Sequence, residues 1–210
     1  MSVGRLIETD ACVAEGADWL AVREPRFAAA LALCGPLPLR RRPDGFAALA
    51  DAILGQQVSL ASARAIAARM QAAGLTGEDE IAAASDAGLR AAGLSRQKAR
   101  YLKALAMARL DYAALRLAPD DQVIATLTAL PGIGQWTAEI YAMFALGRAD
   151  ILAAGDLALQ EAARLLFDLP ARPGAQDLRA MAADWSPWRG VAARLLWAYY
   201  RQTKGREGTA

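Results

Sequence analysis

Apolar residues recur at three- and four-residue spacings along nearly the whole of this 210-residue chain. Two-residue alternation is almost missing. That pattern commits the backbone to amphipathic helices and leaves little from which to pair a sheet. One face repeats through Phe46, Leu49 and Ile53, then Val58, Leu60, Ile66 and Met70, with a break around Gly55. Ser95 caps RQKARYLKALAMARL, where Ala99, Leu102, Leu105 and Ala106 make one stripe and the cations another. Asp120 and Asp121 open a helix carrying Val123, Ile124, Leu127 and Leu130, and LPGIG stops it. Further helices are predicted over 135–146, 157–167, about 175–183 and 187 to about 201, with breaks at Gly74, Gly93, Gly134 and Gly174. The reading is an all-α fold. The length suits one large domain or two small intertwined ones, and the tail from Gln202 is expected to fray.

Composition narrows the chemistry. The chain has no His, which excludes His-based triads and His-ligated zinc, and only two cysteines, Cys12 and Cys34. Two thiols build neither an all-cysteine zinc site nor a four-cysteine cluster, so the default is a mechanism without cofactor. The longest uncharged stretches, such as Phe27 to Leu39 and Gln122 to Ala138, contain Pro or Gly and fall short of the roughly 18 continuous apolar residues of a membrane span. The opening MSVGRLIETD lacks the layout of a signal peptide, so a cytoplasmic protein is expected. The net charge of +2 does not by itself announce nucleic acid, but its distribution is uneven. Leu39 to Pro43 reads LRRRP, Arg90 to Lys103 holds five cations and no acid, and Arg189 to Arg206 holds five more before Glu207. Such runs suit phosphates, although a solvated face is the commoner use.

LPGIGQW is an apolar–Pro–Gly–apolar–Gly turn between two helices. Gly132 and Gly134 permit a tight turn, and the amides from Gly134 through Gln135 to Thr137 open the next helix as an anion site fit for a DNA phosphate. A dinucleotide fold is rejected, because Thr137 stands at the third glycine position and the preceding segment is helical. A plain αα-hairpin remains the alternative for the turn taken alone.

At LPGIGQWTAEIYAMFALGRADILAAGDLAL the chain resembles the helix-hairpin-helix (HhH-GPD) DNA glycosylase superfamily. ILGQQVS (Ile53 to Ser59) and SPWRGVAARLLW (Ser186 to Trp197) are similar to its 3-methyladenine glycosylase branch, in the compact form without an N-terminal β-domain. The resemblance covers about 37–200 and implies two helical subdomains flanking a cleft. Residues 1–42 would pack with the C-terminal helices. Residues 43–155 would form the central subdomain with the hairpin at about 121–146, 156–202 would complete the second subdomain, and 203–210 would be a flexible tail.

The resemblance also assigns residues. Asp156 falls on the catalytic aspartate, a role compatible with capping the helix from Leu157, and a carboxylate there suits the positive charge that develops on the sugar. Gly155 stands where relatives often carry a second acid. Trp136 occupies the position of the Schiff-base lysine of strand-cleaving relatives, so a monofunctional enzyme that leaves an abasic site is expected. Trp136, Trp197, Ile140 and Tyr141 would line the base pocket, where indole attracts a cationic alkylated purine. For Trp197 and Trp188 a place in the helical core is equally open. Gln57, with Gln56, falls at the wedge position that fills the gap left by the flipped base. Carbonyls of Thr128, Leu130 and Ile133 would hold a Na+ or K+ ion. The implied protein is a monomer acting on double-stranded DNA that contains alkylated purines such as 3-methyladenine. Oxidised, deaminated or mismatched bases are the alternative substrates, and a non-catalytic DNA-binding module or a helical protein-interaction domain the alternative classes.

Overall fold

Side-chain caps open several of the helices, with Thr9, Ser59, Ser95 and Asp156 among the capping residues. The structure, a computed structural model, describes residues 3–205. Thr9 caps α1 (Asp10–Arg23), accepting the Cys12 N–H, and Pro25 opens α2 (Pro25–Cys34). Then come α3 (Phe46–Gly55), α4 (Leu60–Ala72), α5 (Glu78–Ala83), α6 (Asp86–Ala91), α7 (Arg96–Ala108), α8 (Tyr112–Leu117) and α9 (Asp120–Thr128). After the hairpin turn follow α10 (Gln135–Phe144), α11 (Leu157–Leu166), α12 (Ala175–Met181), a 3-10 turn at Ala182–Trp185, and α13 (Arg189–Lys204). Among the described residues the extended pairing is a single bridge between Leu6 and Arg148. The fold is all-α.

The chain divides into two compact units. Residues 42–141 form one, and the described residues up to 41 together with those from 142 form the other. The second boundary was expected after 155. It falls inside α10 instead, because 142–155 is built into the second unit: Phe144 lies 5.8 Å from the Trp197 ring, and Ala149 exchanges backbone hydrogen bonds with Arg5 and Gly190.

In the central unit α7 is the hub, with α3, α5 and α6 packed on it. Its buried residues include Ala99, Leu102, Leu105 and Ala106, the predicted stripe. One cation departs from the predicted polar face. Lys98 is buried, and its Nζ donates to the Leu54 carbonyl at 2.5 Å, at the negative end of α3. Burial pushes its ammonium pKa down.

In the second unit α13 runs through the core, with Val191 to Trp197 all buried against α1, α2 and α11. The close approach of α1 rests on Gly16, where a Cβ would stand 2.7 Å from both the Trp188 ring and Val191. Trp188 is therefore core. The helix also outlasts the expected fraying at Gln202. Thr203 donates to the Tyr199 carbonyl at 3.0 Å, and Lys204 reaches Glu161 at 3.5 Å. The rest of the expected tail, 206–210, lies outside the described residues.

Candidate active site

Asp156 ends an irregular stretch whose every turn is tied down. Ala149 accepts the Gly190 N–H at 2.7 Å, and Asp150 Oδ2 accepts Ser186 Oγ at 2.7 Å and Arg189 Nη1 at 3.2 Å. The SPWRG segment thus anchors the start of the loop. At its end Gln160, buried, reaches back to the Ala154 carbonyl at 2.9 Å. Gly190 is needed here because a Cβ would stand 2.9 Å from the Ala149 oxygen.

The carboxylate itself is 2% exposed. Its Oδ1 accepts the Ala158 N–H at 2.9 Å, the Leu159 N–H at 3.1 Å and the Trp197 indole N–H at 3.3 Å. Two of these donors are the first-turn amides of α11, so the predicted cap is formed, and the positive end of the helix faces the carboxylate. The third comes from α13, 41 residues on. Trp197 was expected to wall a pocket. It is 1% exposed, offset against Phe144, and in this geometry it positions Asp156 rather than offering a face. Trp197→Phe keeps the ring and removes the donor. Hydrogen bonds to charged groups contribute about 1.5–3 kcal/mol, so any rate that depends on the Asp156 charge is expected to fall roughly ten-fold or more, read in single-turnover assays.

Beneath Phe144, in the same unit, lies Arg194, a buried guanidinium that donates to the Gly190 and Leu39 carbonyls and sits 4.8 Å from the Phe144 ring centroid. Burial, with Arg40 and Arg41 adding repulsion, pushes its pKa down to about 10. This charge inside the PWR helix carried no separate sequence signal.

The hairpin cluster belongs to the central unit. Gly132 adopts φ +89°, and a Cβ there would overlap the Tyr101 ring of α7, so this position demands glycine. Gly134 is different. Its φ is not in the left-handed region, it is exposed, and a Cβ would meet nothing within 4 Å. The first hydrogen bond of α10 runs from the Ala138 N–H to the Gly134 oxygen at 3.0 Å, so the amides of Gln135, Trp136 and Thr137 belong to the turn that has no intrahelical acceptor. Gln135 is exposed and Thr137 buried, and Gln135 Nε2 donates to Glu139 at 2.9 Å.

The two glutamines divide. Gln56 Nε2 donates to the Gly132 carbonyl at 2.8 Å, a brace across 76 residues that removes it from the expected wedge. Gln57 is exposed with φ +55°, an uncommon conformation for a side-chain-bearing residue. Beside it Val58 and Leu60, which the period placed in the core, are 38% and 67% exposed. Tyr141 departs from the pocket as well. It is buried, its hydroxyl accepts the Gly45 N–H at 3.0 Å, and burial raises its pKa. Trp136 and Ile140, half-buried and four residues apart, share one face of α10.

Among the described residues no group of three or more His, Cys, Asp or Glu side chains is placed to hold a metal ion. The hairpin offers the uncharged backbone carbonyls of Thr128, Leu130 and Ile133. Leu130 O takes the Ile133 N–H at 3.1 Å and retains its second lone pair.

A family model described as HhH-GPD superfamily base excision DNA repair protein matches residues 50–187. DNA-3-methyladenine glycosylase 1 of Schizosaccharomyces pombe is 30% identical over 166 residues, 74% of this chain and 72% of that protein. The crystal structure of DNA-3-methyladenine glycosidase from Bacillus halodurans superposes with a TM-score of 0.80 at 33% identity, over 89% of both chains. The S. pombe 3-methyladenine DNA glycosylase in complex with abasic DNA superposes at 0.74 with 27% identity, over 90% of this chain and 97% of that one. Against other curated relatives the chain spans about half the length or less.

Proposed function

This chain belongs to the HhH-GPD superfamily of base excision DNA repair proteins, and from that membership we propose that it hydrolyses the N-glycosidic bond of alkylated purines, 3-methyladenine foremost, in duplex DNA. The observation that carries the reading is Asp156: a buried carboxylate at a helix N-terminus, with three N–H donors converging on one oxygen. The names of the fission-yeast and Bacillus relatives support the substrate class.

In the reaction the bond between C1′ and the base nitrogen breaks with its electron pair going to the base, which neutralises the alkylated purine's formal charge. Positive charge develops on the sugar, and Asp156 opposes it in a site of low dielectric. Water then adds its oxygen to C1′ and releases a proton. Because a cationic base leaves without prior protonation, a site without histidine suffices. Trp136 and Ile140 offer a face for the extruded base, and indole favours a cationic ring. Gln57, flanked by exposed Val58 and Leu60, enters the gap in the stack.

The hairpin serves the DNA backbone. Gly134 leaves room for a phosphate to approach the amides of Gln135 and Thr137, while Gly132 shapes the turn. Thr128, Leu130 and Ile133 would hold a monovalent cation, which when bound supplies positive charge toward that phosphate. Asp156, at the turn into α11, needs no metal to carry its charge.

The test is chromatography of free base released from methylated duplex by the purified full chain. The expected result is 3-methyladenine in the supernatant and an intact strand until alkali is added, since Trp136 has no amine with which to form a Schiff base. Strands nicked without alkali would overturn the monofunctional reading, and release from oxidised or deaminated duplex alone would overturn the substrate class.

A further inference from the structure

Several surface cations of this protein have a carboxylate at hand. Arg5 pairs with Glu15, Arg109 with Asp79, Arg116 with Asp44, Arg164 with Glu161, and Arg189 with Asp150. The outer face of α7 carries cations without one, set in a row. Arg96 and Arg100 are exposed and pair with no carboxylate among the described residues, although Arg100 lies over the Tyr101 ring at 5.5 Å. Lys103 continues the row, 3.6 Å from Asp86, whose side chain is itself 82% exposed. The three cations line, with Asp86, Gln97, Ala104 and Met107, an open groove of about 680 Å³. Like charges at four-residue spacing oppose helix formation, so folding gains nothing from the row.

The neighbouring face of the same helix reaches the hairpin. Tyr101 lies where a Cβ of Gly132 would stand, and Gln97 Nε2 donates to the Tyr101 hydroxyl at 2.6 Å. The unpaired cations therefore adjoin, within one unit, the turn assigned to a DNA phosphate. Arg96 to Lys103 spans about 10 Å of helix at ~1.5 Å per residue. That matches the axial rise of about three phosphates along one strand at ~3.4 Å each.

We propose that the outer face of α7 is a second phosphate track, which takes the duplex backbone as it runs on from the hairpin; this rests on the reading of the chain as a DNA enzyme. Arg96, Arg100 and Lys103 each neutralise a backbone charge and read no base, so the track adds affinity without sequence preference.

The experiment measures binding of the full chain to an undamaged duplex across a salt series. Each phosphate contact contributes about 0.9 to the slope of log affinity against log salt. In the triple variant Arg96→Ala, Arg100→Ala, Lys103→Ala the slope is expected to fall by about 2 to 3, with affinity at low salt down at least ten-fold and a cooperative unfolding transition retained. The double variant Arg96→Gln, Arg100→Gln, a smaller perturbation of the helix, is expected to lose about 2. A wild-type slope in a folded variant overturns the track and gives the face to another partner, such as an acidic protein. A wild-type chain that shows no salt-dependent binding at all overturns the parent reading and the track with it.

Discussion

Asp156→Asn is expected to lower single-turnover base excision by about 10²- to 10³-fold, the usual loss when a transition-state charge is left without its stabilising group, while duplex affinity stays within a few-fold. The substitution isolates charge from architecture. Asn caps a helix about as well as Asp, and its Oδ1 still accepts from Ala158, Leu159 and Trp197. The melting temperature should therefore hardly move. Asp156→Ala is a poorer probe, because it removes the cap and strands the buried Trp197 N–H, at about 1–3 kcal/mol for an unmet donor. Full excision by a folded Asp156→Asn variant would reduce the residue to a helix cap.

The second large effect is expected at the hairpin. Gly132→Ala places a Cβ at φ +89° and against the Tyr101 ring. A left-handed conformation costs an ordinary residue about 1–2 kcal/mol, and overpacking adds about 1–3 kcal/mol. The denaturation midpoint should fall by a few kcal/mol's worth, and duplex affinity should drop at least ten-fold as the turn distorts. Gly134→Ala is the internal control. Nothing in the protein meets its Cβ, so stability should hold while affinity falls. Equal loss of stability in the two variants would contradict this division of labour.

The segments that were legible in the sequence share a local cause. Ser95, Asp156 and the LPGIG turn are decided within a few residues by capping and glycine geometry, and the stripe of α7 follows from helical period alone. What escaped is held by contacts with no period. Trp197 meets Asp156 across 41 residues, Gln56 meets Gly132 across 76, and Tyr141 meets Gly45 across 96. Each of these side chains was assigned to the site by its position along the chain. The structure uses all three as braces, because a buried indole, amide or hydroxyl must find a partner wherever the fold supplies one. Lys98 shows the same limit in reverse, a cation of the polar stripe drawn inside by the carbonyl at the end of α3. The helices α1 and α2 were passed over because alanine and glycine dilute their apolar pattern. Val13, Gly16, Ala17 and Leu20 nevertheless fall at the required spacings behind the Thr9 cap.

The packing of α1 and α2 on α13 also sets an order of events at the ribosome. The central unit is a continuous run of residues and has its whole core once α10 has emerged. The other unit cannot close until its last helix is made, more than 150 residues after α2. At about 5–20 residues per second, the two N-terminal helices wait on the order of ten to thirty seconds with Phe27 and Leu20, both buried in the finished protein, uncovered. Alanine takes many of the positions in both helices, so the same dilution that hides them from a periodicity reading is expected to limit the sticking of the half-made chain to its neighbours.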